Sequence, residues 1–181
     1  SEKGLGIPLD ISLSFHTDAG ITRNDTAIGT LMIYSIPGLD SQQVFPDGVS
    51  RLANRDLSDI VMTQLVDDIR VNYDSTWTRR QLMNALYSEA ARPNFPSMLL
   101  ELLSHQNFYE MKFELDPRFR FDVSRSIYKG MLKFLSAQYG YDFVVQPLPP
   151  NNFSAELNSN GELSLSWKAQ IDNLESTAAA D

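Results

Sequence analysis

Two side chains stand where they could do chemistry. His16 closes the alternating part of the stretch 9–20, LDISLSFHTDAG, and Glu101 interrupts the apolar run 97–103, SMLLELL. Imidazole binds metals and moves protons near neutral pH. A lone carboxylate in an apolar run needs a cation, a metal, a raised pKa or a place at a strand end in a cleft. The pair suits zinc-assisted hydrolysis, in which imidazole holds the metal and a carboxylate activates its water. Ligand supply is the difficulty: such a zinc takes three protein ligands, and the sequence has two histidines, His16 and His105. His105 lies four residues beyond Glu101 and would share its face on a helix. On a strand running into a loop it is a strand-end histidine instead. For His16 a hydrogen-bonded structural role also stays open. No cysteine is present, which excludes disulfides, thiolate ligands and a cysteine nucleophile. Without a Gly-x-Ser-x-Gly elbow, Ser/His/Asp catalysis is the weaker alternative.

The elements that must position these residues show in the hydrophobic periodicity. Leu9, Ile11, Leu13 and Phe15 alternate with Asp10, Ser12, Ser14 and His16, which predicts a strand with one apolar face. Thr17, Asp18, Ala19 and Gly20 read as the polar turn after it. GTLMIYS at 29–35 predicts a second strand. Pro37, Gly38, Pro46 and Gly48 mark a long irregular connection that either covers a site near His16 or is plain surface. From 50 to 73, Leu57, Ile60, Val61, Leu65, Ile69 and Val71 make one stripe of a core-packing helix with a solvated charged back, capped by Ser50 or Asn54. Residues 78–88 fit a short helix or a strand. Pro93 and Pro96 bracket a turn, and 97–103 reads as a strand buried on both faces. Asp116-Pro117 starts a second long helix whose stripe is Val123, Ile127, Met131, Phe134 and Leu135, with Gly140 as terminator. Strands alternating with helices predict an α/β layered domain with a mostly parallel sheet. Sites in such sheets form outside the carboxyl ends of strands, which brings His16 and Glu101 together.

After about residue 144 the character changes. QPLPPNNF is a proline-rich linker. Phe153, Ala155 and Leu157, then Asn158-Ser159-Asn160-Gly161, then Leu163, Leu165 and Trp167 predict an antiparallel hairpin. The expected division is therefore 1–144 and 145–181. The net charge of −8 argues against a nucleic-acid partner, which requires a basic footprint. Arg79-Arg80 and the trio Arg118, Arg120 and Arg125 read as solvated helix faces. No apolar run has the length of a membrane span, and no basic-then-apolar leader opens the sequence. The chain begins at Ser1 with no initiator Met, as a processed or trimmed product would.

Pro96-Ser97-Met98-Leu99-Leu100-Glu101-Leu102, with Asn107 six residues beyond the glutamate, resembles the "PavLvElgFlsN" segment of zinc-dependent N-acetylmuramoyl-L-alanine amidases. Asp116-Pro117 and Ile127-Tyr128-Lys129-Gly130 resemble that family's closing helix, and Ser14-Phe15-His16-Thr17-Asp18-Ala19 its "SiHaNA" strand end. Order and spacing agree over residues 8 to about 137. The likeness extends to amidase-like modules of large secreted bacterial proteins, some labelled xanthan lyases, in which a fibronectin type III-like domain follows. The tail 149–167 resembles the opening strands of one, with Trp167 as its core tryptophan.

The resemblance implies a three-layer α/β sandwich with a short antiparallel β tail. It makes His16 a zinc ligand and Glu101 the catalytic acid/base that hydrolyses the bond between N-acetylmuramic acid and L-alanine in peptidoglycan. It also implies an exported protein whose partner is peptidoglycan or a related cell-surface glycopeptide. The family's other two ligands, a histidine and a glutamate, have no counterpart in the sequence and are expected upstream of Ser1, so zinc is expected in the intact protein and incompletely coordinated in this chain. Leu103-Ser104-His105 departs from the family's usual Gly-Phe-type pair. The alternatives are a catalytically silent cell-surface module that binds glycan or peptide, and a polysaccharide-active enzyme component.

Overall fold

The alternating and apolar segments of the first 138 residues assemble one sheet. In the computed structural model, which describes residues 8–22, 24 and 26–175, β1 (Ser12–Asp18), β2 (Thr30–Tyr34), β3 (Arg79–Asn84) and β4 (Ser97–Ser104) lie in the order β1-β4-β2-β3. β1 runs parallel to β4 and β2 parallel to β3, while β2 is antiparallel to β4. The chain is thus α/β with a mostly parallel sheet. The ambiguous segment after residue 78 is the strand β3. β4 is buried except at Glu101, as its apolar run predicts.

β1 corrects the expected first strand at both ends. Thr17 and Asp18 belong to it, because pairing with β4 continues past His16 through a bulge to Asp18 opposite Ser104. Ile11 and Leu13 pack on the core, but Leu9 and Phe15 are 60% and 51% exposed. The apolar face is therefore only partly used.

The core lies between the sheet and two long helices, α1 (Leu52–Asn72) and α4 (Pro117–Tyr139). Leu57, Val61, Met62, Leu65, Val66 and Ile69 of α1 meet Met32, Met98 and Leu100 of the sheet, and Phe119, Val123, Ile127 and Phe134 of α4 close the cluster. Asp116 precedes α4 and its Oδ1 accepts the Arg118 N–H at 2.9 Å, the cap expected from Asp-Pro. Asn54, a candidate cap for α1, is instead a buried tie within it. Its side-chain nitrogen donates to the Ser35 carbonyl at 2.7 Å, and its oxygen accepts the Ser97 N–H at 2.8 Å. Ser50 is nearer the expected role, its hydroxyl accepting the Leu52 N–H at 3.2 Å. The back of α1 is not wholly solvated either, since Asp68 is buried.

Gly130 sets the distance between α1 and α4. A Cβ there would lie 2.7 Å from Val61 Cα and 3.0 Å from its Cγ2, so a side chain meets backbone that cannot step aside. Gly130→Ala gains up to about 1 kcal/mol of helix propensity yet is expected to destabilise by about 1–3 kcal/mol net. Urea unfolding measures it, and a neutral or stabilising result contradicts this packing.

The short helices α2 (Ser88–Ala91) and α3 (Phe108–Glu114) carry no long stripe and were not foreseen. α3 is capped by Asn107, whose side chain accepts the N–H groups of Tyr109 and Glu110.

The described residues from 139 to 175 belong to a second unit. In it β5 (Asn151–Leu157) and β6 (Leu163–Lys168) pair antiparallel, with Ala155 opposite Leu165. Asn158 organises the turn by accepting the N–H groups of Asn160 and Glu162, and Gly161 takes a φ of +81°. Trp167 is 50% exposed on this hairpin.

Candidate active site

Parallel pairing puts His16 of β1 directly beside Glu101 of β4. In-register residues of neighbouring strands point to the same sheet face. That face also carries Leu99, Leu31 and Ile33, so an imidazole and a carboxylate stand at the border of a small apolar cluster. His16 Nε2 lies 4.0 Å from Glu89 Oε1, a contact from the one-turn helix α2 with both side chains well exposed. The two residues singled out by sequence are thus brought together.

Glu101 Oε2 is buried with no hydrogen-bond partner. A buried acceptor without a donor is costly in a native structure and marks a place where a proton or an incoming donor is needed. Burial pushes the Glu101 carboxyl above its ordinary value, and the Asp18 charge adds to this, against the opposing influence of His16, Arg80 and His105. A carboxylate in this condition is disposed to take up a proton and pass it on.

Three further residues surround it. Asp18, at the end of β1, accepts a hydrogen bond from Arg80 Nη1 at 2.6 Å, which holds the Asp18 carboxyl below its ordinary value. His105 follows β4. Its backbone N–H donates to the Asp18 carbonyl at 3.1 Å, and its Nδ1 lies 3.3 Å from Thr17 Oγ1. His105 is therefore a strand-end loop residue, not a residue one helical turn from Glu101. Arg80 was missed as a site residue. The Arg79-Arg80 pair read as a solvated helix face, but it begins the strand β3. β3 lacks a clean alternation, so only the tertiary structure brings Arg80 to Asp18.

The rim is fixed by Glu110, which is fully buried on α3. Its two oxygens accept the N–H groups of Gly29 at 2.6 Å and Ser104 at 2.7 Å, which ties the start of β2 to the end of β4. Ser104 Oγ donates to the Gly20 carbonyl at 2.6 Å, and Asn107 Nδ2 to the Thr26 carbonyl at 2.9 Å. The loops after β1 and β4 are thus zipped together beside the site. The long connection after β2 is attached elsewhere. Leu31 pairs with Glu101 and Ile33 with Leu99, so β2 runs away from Glu101 and the connection leaves from the opposite end of the sheet.

Among the described residues, no group of three or more His, Cys, Asp or Glu side chains is placed to hold a metal ion. His16 offers one imidazole, with Glu101 and Glu89 as neighbouring carboxylates, and these do not make a zinc site by themselves. No helix is long and apolar enough to cross a membrane among the described residues.

No family model matches the chain, and no curated protein matches it. Solved structures do share its fold. The N-acetylmuramoyl-L-alanine amidase AmiC2 of Nostoc punctiforme superposes with a TM-score of 0.54 at 17% identity, over 70% of this chain and 58% of that one. The N-acetylmuramyl-L-alanine amidase Ami1 from Mycobacterium smegmatis gives 0.53 at 22% identity, over 71% and 55%. The CwlD amidase from Clostridioides difficile, solved with the GerS lipoprotein, gives 0.53 at 20% identity, over 75% and 59%. The match thus spans between 55% and 59% of the length of these three structures.

Proposed function

We propose that this chain carries part of the catalytic domain of an exported, zinc-dependent N-acetylmuramoyl-L-alanine amidase, with Glu101 as acid/base and His16 as one metal ligand. The observation that carries the reading is the pairing of His16 with Glu101 at one sheet end, with a buried Glu101 oxygen that lacks a partner. The shared fold of the amidase structures supports it. The remaining ligands of the zinc would come from residues outside those described, so no reaction step is drawn through the metal.

The surroundings of Glu101 support this role. Water attacks the lactyl carbonyl carbon of the amide, and Glu101 takes the proton that the water loses. As the C–N bond breaks, the same proton passes from Glu101 to the departing nitrogen, leaving a carboxylic acid and a free L-alanyl amine. Burial suits the carboxyl to taking up the proton, because it weakens the preference for the charged form. The hairpin of the second unit fits, in the same reading, the opening strands of a fibronectin type III-like domain.

The test is chemical. The intact protein, incubated with purified peptidoglycan, is expected to generate new amino-terminal L-alanine. Sugar reducing ends without new amino termini would assign the site to a polysaccharide-active enzyme. Binding without either product would assign it to a silent glycan- or peptide-binding module.

A further inference from the structure

We propose that Arg80 is a carboxylate-binding residue of this site. Its guanidinium, fixed on one side by Asp18, presents its remaining N–H donors to an acidic group of the bound peptide. The inference deepens the amide-hydrolase reading by naming the class of substrate, an acidic peptide, and rests on that reading for the site's use.

Strand order and the contact with Asp18 carry the guanidinium to the side of the sheet on which Glu101 feels its charge. Arg80 starts from β3, and its partner Asp18 lies on β1, at the other edge of the order β1-β4-β2-β3. The 2.6 Å contact between them therefore requires the side chain to cross the sheet past β2 and β4, the strand of Glu101. Among the groups acting electrostatically on Glu101, Arg80 is the permanent cation.

The fork is only partly occupied. A guanidinium has five N–H donors in a plane. Among the described residues, protein bonding of Arg80 is confined to Nη1, and its side chain is 29% exposed. Nε and Nη2 thus keep a free, solvent-facing edge of the kind that takes a carboxylate in two parallel hydrogen bonds.

The anchor is itself held. Asp18 Oδ1 accepts the Ala19 N–H at 2.8 Å, and the Asp18 carbonyl accepts the His105 N–H at 3.1 Å. The guanidinium is preorganised, so a ligand loses less freedom in engaging it. A purely structural ion pair at this exposure adds little to stability, which leaves the long reach across the sheet unexplained. The chain as a whole carries a net charge of −8, so an acidic peptide needs a local cation to be held here.

The experiment measures binding and does not depend on turnover. Alanyl-glutamate and its neutral counterpart alanyl-glutamine amide are titrated into the intact protein by calorimetry, with the Arg80 Nε–H resonance followed by NMR. The acidic peptide is expected to bind at least ~10-fold tighter and to shift that resonance, while the neutral one does not. Arg80→Gln is expected to abolish the preference, and Arg80→Lys to restore part of it. Equal affinities, an unmoved Arg80 resonance in the wild-type protein, or a preference kept in a folded Arg80→Gln variant overturns the proposal, as does failure of the acidic peptide to bind. Amide hydrolysis is read separately from new amino-terminal L-alanine, so either claim can fail without the other.

Discussion

Replacing Lys129 by Met is expected to destabilise the folded chain by about 3–5 kcal/mol in urea unfolding. Lys129 and Asp68 form an ion pair of 2.7 Å, with side chains only 2% and 9% exposed. Asp68 also accepts hydrogen bonds from Ser126 Oγ at 2.6 Å and Gln64 Nε2 at 2.9 Å. Met keeps most of the stem volume of Lys129 but leaves the Asp68 charge without its cation between two packed helices. Breaking one half of a buried pair costs more than removing both, because the orphaned ion still bears its desolvation penalty. The double variant Lys129→Met with Asp68→Leu is therefore expected to lose much less than the sum of the two single variants. A single-variant loss below about 1 kcal/mol would show that water reaches Asp68 and that the pair is not dry.

Glu110→Ala is the second large effect, and it bears on the site. Its carboxylate accepts the Gly29 and Ser104 N–H groups at the start of β2 and the end of β4. Two buried N–H groups left without an acceptor cost about 1–3 kcal/mol each, so a loss of about 2–6 kcal/mol is expected. Local hydrogen exchange is expected to rise first at Gly29 and Ser104. Retained protection at both would contradict the clamp. A pH dependence accompanies it. Burial raises the Glu110 carboxyl above its ordinary value, and the N–H groups of Gly29, Ser104 and Ile28 offset this only in part. The folded state then holds the proton more tightly than the unfolded one. The associated stability is fully present below the unfolded pKa and is lost as pH rises through the folded one. Glu110→Gln is expected to reduce that slope.

What could be read from the sequence divides along a physical line. His16 and Glu101 were legible because each breaks a local pattern, an alternation in one case and an apolar run in the other. Strand pattern together with the rule for carboxyl ends was enough to pair them. α1, α4 and the Asn-Gly hairpin were legible for the same reason, since period and capping are written into neighbouring residues. Arg80 was not legible, because its place beside the site depends on reaching Asp18 across two intervening strands. Glu110 was hidden in a helix of seven residues, too short to carry a stripe. The direction of β2 was equally out of reach. An apolar run such as TLMIY pairs equally well in either sense, and its antiparallel match to β4 carries the following connection away from the site. Asp68 on the back of α1 misled because an acidic residue off the stripe reads as solvated until a lysine from another helix is brought to it.

The most direct test of the account compares peptide release from peptidoglycan by the intact protein with release by its Glu101→Gln variant. The variant keeps the side-chain shape and removes the proton carrier. It is expected to lose about 100- to 10,000-fold in rate, while its unfolding midpoint stays unchanged or rises, since a buried carboxyl oxygen without a partner is no aid to stability. Release by Glu101→Gln within a few-fold of the wild type, measured as new amino-terminal L-alanine, would contradict it.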